Sequence, residues 1–162
     1  MNTDVHKFEL PRFEELPDNG LYLQQVVDYL KECLKDFPDI QISQSRITNY
    51  VKRDILDNPE NKLYYRYHIA QLLFLFVAKN VLDQKHLRES LAIQDDSYTL
   101  DVAYNYFVAE LSNVTQFVFG YKKQLEEVGT EHTTQKEMFR NLLMAFAYRE
   151  YLSNYFEHFA EQ

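Results

Sequence analysis

Glycine, proline and cysteine are all scarce in this 162-residue chain, which has three glycines, four prolines and one cysteine. Each shortage excludes something. Phosphate-cradling loops cluster glycines so that the backbone can approach the phosphates with no Cβ in the way. Gly20, Gly120 and Gly129 stand too far apart for a Walker loop or a dinucleotide fingerprint. With so few turn formers, the chain should be mostly helix with short connections. Alternating strand patterns closed by hairpin turns are nearly absent, so the expected class is all-α. A lone Cys33 permits no internal disulfide and no cysteine-built zinc site. Long apolar runs are missing too. The longest, Ile69 to Ala78, is broken by Gln71 and falls far short of the ~18 residues a membrane span needs. The first ten residues carry Asp4, Lys7 and Glu9 and no apolar stretch. No signal peptide is read there, and a soluble, cytoplasmic protein is expected.

What is present supports a real core. The chain is 46% apolar and 15% aromatic, which excludes a disordered chain. A domain of this size buries roughly 70% of its unfolded surface. The net charge of −8 is unevenly spread. Residues 1–39 hold 4 basic and 9 acidic groups, residues 40–95 hold 8 and 6, and residues 96–162 hold 5 and 10. Only the middle segment has a basic excess.

Periodicity sets out the elements. A first helix is expected from about Leu21 to Phe37, with Leu23, Val26, Val27, Leu30 and Leu34 at helical spacing and Pro38 ending it. Ser43 is a good N-cap for a helix over Gln44 to Leu56. That helix sets Ile47, Tyr50, Val51 and Ile55 on one side and polar groups on the other. Asp57 to Asn61 reads as a turn, with Leu63-Tyr64-Tyr65 as a short strand behind it. A third helix, about Arg66 to Leu82, is apolar nearly all round and marks the core. Asp83 caps a fourth helix reaching about Ile93.

Leu100, Tyr104, Phe107, Leu111, Val114, Val118, Tyr121 and Leu125 then alternate steps of four and three, a heptad seam with Gly120 inside it. The seam reads either as an intersubunit coiled coil or as the inner face of a helical hairpin with the last helix, about Gln135 to Ala160. Aromatic residues at the seam favour the second reading. The last helix carries apolar residues over so much of its surface that packing on two sides is expected.

Three separated motifs resemble one family. They are Glu9-Leu10-Pro11-Arg12-Phe13-Glu14-Glu15-Leu16-Pro17 with Leu21-Tyr22 and Gln25-Val26, then Ile47-Thr48-Asn49-Tyr50-Val51-Lys52, then Tyr64 with Arg66 and His68-Ile69-Ala70. Over roughly residues 8–93 they resemble the bacterial family called domain of unknown function 1836. The helix-turn-wing part of that family is similar to the DNA-binding domain of MerR-type regulators. The resemblance implies a MerR-like winged helix-turn-helix, a recognition helix capped by Ser43, buried anchors at Ile47 and Tyr50, and an apolar exit at Ile55-Leu56. It puts Pro59 and Lys62 in a wing, with Tyr64 and Arg66 at the wing's return. Three positions depart from the MerR pattern. Thr48 replaces a usual Arg, Asp54 replaces a usual Gly, and Glu60 adds an acid to the wing.

The expected architecture is therefore all-α, a MerR-like winged helix-turn-helix followed by a C-terminal helical hairpin. Residues 1–95 form the N-terminal segment plus winged domain, and 96–162 a two-helix region for packing or dimerisation. Gln44, Ser45, Thr48 and Asn49 are expected to read bases, since Asn or Gln can pair bidentately with adenine. Arg46, Lys52, Arg53, Lys62 and Arg66 are expected to neutralise phosphates. The competing reading of the same residues is an ordinary solvated helix face, which the acidic composition favours. The expected partners are double-stranded DNA and a second copy of the chain, with no membrane and an optional small-molecule effector among the C-terminal aromatics.

No catalytic residue, cofactor or metal is expected. Asp83 and His86 have a metal-compatible spacing but lack the second carboxylate–histidine set such sites use. His68 reads as a wing or core contact, and Cys33 as a small core residue. Glu14-Glu15 and Glu126-Glu127 are adjacent, which points their carboxylates apart on a helix. The alternative function is a non-enzymatic protein-interaction module on a winged-helix scaffold that has lost DNA binding. Thr48, Asp54 and Glu60 speak for it.

Overall fold

The computed structural model describes residues 3–129 and 131–161. Among them are six α-helices: α1 Leu23–Cys33, α2 Gln44–Lys52, α3 Arg66–Ala78, α4 Gln84–Ser97, α5 Leu100–Val118 and α6 Thr134–Ala160. Two short 3-10 turns, Thr3–Lys7 and Phe13–Glu15, precede them. The class is all-α. Leu63-Tyr64-Tyr65 forms no strand. It makes two isolated antiparallel bridges: Leu21 and Tyr64 exchange both backbone hydrogen bonds at 2.8 Å, and Leu63 pairs with Glu60. No helix is long and apolar enough to cross a membrane among the described residues.

Side-chain caps set the helix starts where the sequence places them. Ser43 Oγ accepts from the Arg46 amide at 3.3 Å, Asp83 from His86 at 2.8 Å, and Thr133 from Lys136 at 3.1 Å. Each satisfies a backbone donor that the first helical turn leaves unpaired. Helix α3 is the centre of the molecule, with ten of its 13 residues buried. Its Phe74 meets Phe107 of α5 and Phe139 of α6 edge to face, at 5.5 and 5.9 Å between ring centroids. The core runs without a break from Val5 to Ala147.

The N-terminal arm crosses α5. Tyr104 Oη donates to the Pro11 carbonyl at 2.7 Å, and the Phe13 amide donates to Asn105 Oδ1 at 2.8 Å.

The C-terminal pair differs from the expected hairpin. Lys136 lies over the Tyr106 ring, Arg140 pairs with Glu110, and Tyr151 packs on Phe119. The contacts advance together along both helices, so α5 and α6 run in the same direction. The 119–133 segment is a return crossover. Asn113 secures its middle, donating to the Glu126 carbonyl at 2.7 Å and accepting from the Glu126 amide at 3.3 Å. The reason is reach. Helix α5, with 19 residues, is about 28 Å long, and about nine extended residues span that distance. A true hairpin needs only two to eight connecting residues.

The 100–125 seam also ends early. Tyr104, Phe107, Leu111 and Val114 are buried, but α5 stops at Val118, and Tyr121 is exposed beyond it. Helix α6 is packed only along part of its length. Phe139, Leu142, Leu143, Phe146 and Ala147 are buried, whereas Tyr148, Leu152, Tyr155, Phe156 and Phe159 are exposed.

Candidate nucleic-acid interface

Helix α2 is held from below and open above. Ile47 and Tyr50 are buried and Val51 is half-buried. After Lys52 the chain turns back, with the Ile55 and Leu56 amides both donating to the Tyr50 carbonyl. Asp54 sits in that turn at φ +56°, a left-handed conformation that favours glycine.

On the open side, Gln44, Ser45, Asn49, Lys52 and Arg53 are exposed, and Arg46 and Thr48 half-buried. Several already have local partners. Gln44 Nε2 donates to Gln24 Oε1 of α1, and Thr48 Oγ1 to the Ser45 carbonyl at 3.1 Å. Asn49 Oδ1 accepts from Arg53 Nε at 3.2 Å. Arg53 also donates to Gln84 Oε1 of α4, and Arg88 returns a hydrogen bond to the Arg53 carbonyl. In this acid-rich chain, none of Arg46, Lys52, Arg53 and Lys62 pairs with a carboxylate among the described residues.

The turn after α2 is a tight reversal. Glu60 and Leu63 exchange backbone hydrogen bonds at 2.9 Å, and both central residues, Asn61 and Lys62, have positive φ. This is the pattern of a type I′ turn. Lys62 is exposed at its tip. His68 fastens the turn to α3. Its Nδ1 accepts from the Tyr65 amide, and its Nε2 donates to the Asn58 carbonyl, both at 2.9 Å. Pro59, Lys62 and Tyr64 share a hollow of about 420 Å³ with Tyr22, Leu23 and Gln24. The turn, the start of α1 and the start of α2 thus lie side by side.

Arg66 does not join this surface. Its Nε and Nη2 donate to the Leu16 and Glu14 carbonyls at 3.0 Å, and its guanidinium lies 5.7 Å from the Phe13 ring centroid. It clamps the N-terminal arm onto α3. Five residues that sequence reasoning missed border the site: Tyr22, Gln24, Lys79, Gln84 and Arg88. Gln24, Gln84 and Arg88 stand on neighbouring helices, where spacing within α2 carries no signal of them. The surface also has acids. Asp54, Asp57 and Glu60 are exposed next to the α2 C-terminus and the turn.

The other candidates resolve into structural contacts. Asp83 caps α4 with His86 Nδ1 3.1 Å from its carboxylate. Burial pushes the Cys33 thiol up to about 11, against a lowering hydrogen bond from Tyr29, which keeps it neutral and a poor nucleophile. Beside the 119–133 crossover lies a hollow of about 550 Å³ edged by Tyr106, Glu127, His132, Lys136, Glu137 and Arg140.

Residues 11–107 match the family model of a domain of unknown function (DUF1836). That span is more than half of the chain, which therefore belongs to this family. No curated protein and no solved structure matches the chain.

Proposed function

We propose that this member of the DUF1836 family is a non-enzymatic, sequence-specific DNA-binding regulator of MerR-like type that acts as a homodimer. The observation that carries the reading is the group of cations on α2, at its C-terminal end and in the turn that follows. Arg46, Lys52, Arg53 and Lys62 have no carboxylate partner, although the chain has eight more acids than bases. Free of carboxylates, they suit phosphates, while Gln44, Ser45, Thr48 and Asn49 stand on the first turns of α2, where base edges are read. The adjacent α1, the tight turn with Lys62 at its tip and the Leu21–Tyr64 bridge favour a helix-turn-helix with a small wing.

The second copy has a surface to occupy. Tyr148, Leu152, Tyr155 and Phe159 continue a four-three spacing from Ala145, and these residues with Phe156 are 46–63% exposed. Tyr155 stacks with Phe159 and meets Phe156 edge to face, so the patch is continuous. At 150–250 Å² for a fully covered aromatic, the five residues offer roughly 500 Å² per protomer. Two protomers then bury about 1,000 Å², the lower bound of a specific interface. An antiparallel pairing centred on Leu152 sets Ala145 against Phe159, small against large. A dimer doubles the DNA contacts, which an acidic protein needs to hold a specific site.

The test is selection from a random duplex library at ~150 mM salt, where screening removes weak surface attraction. The Lys52→Ala/Arg53→Ala variant runs beside the wild type. A motif enriched by wild type alone supports the reading, and a palindromic motif supports the dimer. The variant should also lose about 0.9 of salt slope per missing phosphate contact. No enrichment by folded protein would sink the DNA reading. It would favour an interaction module whose partner sits on the exposed acids Asp54, Asp57 and Glu60 or on the α6 aromatics.

A further inference from the structure

Gln24 and Asp28 stand one turn apart on the exposed side of α1, and Gln24 Nε2 donates to Asp28 Oδ1 at 2.9 Å. A carboxylate only accepts, so the nitrogen end of the Gln24 amide must face Asp28. Its oxygen end is thereby turned to α2, where Gln24 Oε1 accepts from Gln44 Nε2 at 2.5 Å. That oxygen carries no hydrogen, so Gln44 in turn meets it with its nitrogen end. One carboxylate on α1 thus sets which way up a side chain on α2 lies. The backbones that carry the chain of bonds are fixed, since α1 packs on α2 and Val26, Val27, Leu30 and Ile47 are buried in the common core.

What Gln44 has left decides what it can recognise. Gln44 is exposed at the first position of α2, and its amide keeps one N–H and its oxygen for an outside partner. A donor beside an acceptor matches the major-groove edge of adenine, which offers the N7 acceptor and the N6 donor. Turned over, the amide would aim its oxygen at Gln24 Oε1 and lose that bond. It would then present two donors outward, the match for N7 and O6 of guanine. We propose that Gln24 is a positioning residue, which holds Gln44 in the orientation that reads adenine and disfavours guanine. This inference rests on the DNA reading of α2 and adds to it the base that Gln44 takes.

The test starts from the motif that the full wild-type chain selects. Gln44→Ala identifies the base pair that Gln44 reads, because preference is lost at that pair alone. Fluorescence anisotropy then compares two duplexes that differ only there, one with A·T and one with G·C. Both are measured at one salt concentration, so the phosphate contribution is common to them. Wild type should favour A·T by about tenfold or more. Gln24→Ala should lower that ratio about fivefold, the worth of one net hydrogen bond, and leave the preference at every other pair unchanged. Gln24→Glu/Asp28→Asn reverses the first bond but keeps an acceptor facing Gln44, so it should retain the wild-type ratio. All these changes fall on exposed side chains, and the Tm of each variant should stay close to that of wild type.

A lowered ratio in Gln24→Ala that the double variant retains supports the positioning role. An unchanged ratio in Gln24→Ala overturns it and leaves the DNA reading intact. A fall that the double variant shares also overturns it, because the effect would then come from the placement of α1 rather than from the acceptor. A Gln44→Ala variant that loses preference at no pair, or at a pair other than A·T, has the same consequence. If wild type selects no motif at all, the DNA reading and this inference fall together.

Discussion

Two helices of this protein carry nearly the same apolar spacing and meet opposite fates. In α5 the stripe Tyr104, Phe107, Leu111 and Val114 is buried against α3 and α6. In the last turns of α6 the stripe Tyr148, Leu152, Tyr155 and Phe159 stands in water. Helical periodicity says that a helix has an apolar face; it does not say whose surface covers it. What separates the two is position along the chain. Helix α5 lies in the middle and has the N-terminal arm, α3, α4 and α6 around it. The end of α6 runs past the last element that could cover it, because the parallel arrangement carries it beyond the end of α5.

The sharpest way to break this contrast is to truncate one aromatic in each stripe. Phe107→Ala opens a cavity between Phe74 and Tyr104 and should cost about 3–5 kcal/mol in urea unfolding. Tyr155→Ala should change monomer stability by less than ~0.5 kcal/mol. In sedimentation equilibrium, though, it should weaken self-association by about tenfold or more, as loss of a central interface aromatic does. Equal costs in the two unfolding curves would mean that both stripes are covered within one chain.

A second contrast is ionic. Where α5 is covered by α6, Glu110 is fully buried and takes Arg140 Nε at 2.6 Å and Nη2 at 3.4 Å, while Arg140 also holds Glu127 and the Glu126 carbonyl. Donating these hydrogen bonds to Glu110 raises the proton affinity of Arg140. Arg140→Ala leaves a buried carboxylate unpaired and frees the crossover, for a loss of about 3–5 kcal/mol. The double change Glu110→Met/Arg140→Leu should recover most of it. If it did not, the pair would be doing more than closing the α5–α6 contact.

How much of this was legible follows the range of the interactions. Ser43, Asp83 and Thr133 are local caps, and the sequence placed the first two within one residue of their helices. The all-round apolarity of residues 66–78 marked α3 as central because burial needs no register. The direction of α6 was not legible. The seam fits a parallel or an antiparallel neighbour equally well, and the deciding bonds join Asn113 to Glu126 and Arg140 to Glu110, over 13 and 30 residues. At the candidate site, α2 and its anchors were readable from spacing and resemblance. Arg66 turning inward to the Leu16 carbonyl, and Lys79 arriving over Tyr50, depend on tertiary packing that no local pattern encodes.

Glu150 marks the turn of α6 where coverage ends. It is 4% exposed, its Oε1 has no hydrogen bond, and Arg149 is 3.9 Å away, outside hydrogen-bond reach. Burial first, then the negative charges of Asp39 and Glu157, push it up to about 7, against the lowering effect of Arg149. The folded state keeps this proton when the unfolded chain has lost it. Stability from this group is therefore full below about pH 4.5 and declines as pH rises towards 7. Glu150→Gln should flatten that decline and raise stability at pH 8 by about 2 kcal/mol. A parallel pH profile in the variant would place the titration elsewhere.

The smallest expected effect concerns the point at which the α5 stripe stops. The spacing continues through Tyr121 and Leu125, yet the helix ends two residues before Gly120. There the Tyr121 amide donates to the Gln116 carbonyl at 2.8 Å and the Gly120 amide to Phe117 at 3.1 Å. These two bonds form a Schellman cap, which needs a left-handed residue at its centre. Gly120 supplies it at φ +84°, and an added Cβ would meet nothing within 4 Å. Only backbone strain opposes a side chain, so Gly120→Ala should cost about 1 kcal/mol, and Gly120→Asn less, since Asn tolerates this conformation. Far-UV ellipticity decides what the stop depends on. Unchanged helicity in Gly120→Ala means that the Asn113 and Arg140 bonds to the crossover end α5 whatever residue caps it. A gain in helicity means that one glycine keeps the stripe from extending, and that α5 and the crossover compete for residues 119–125.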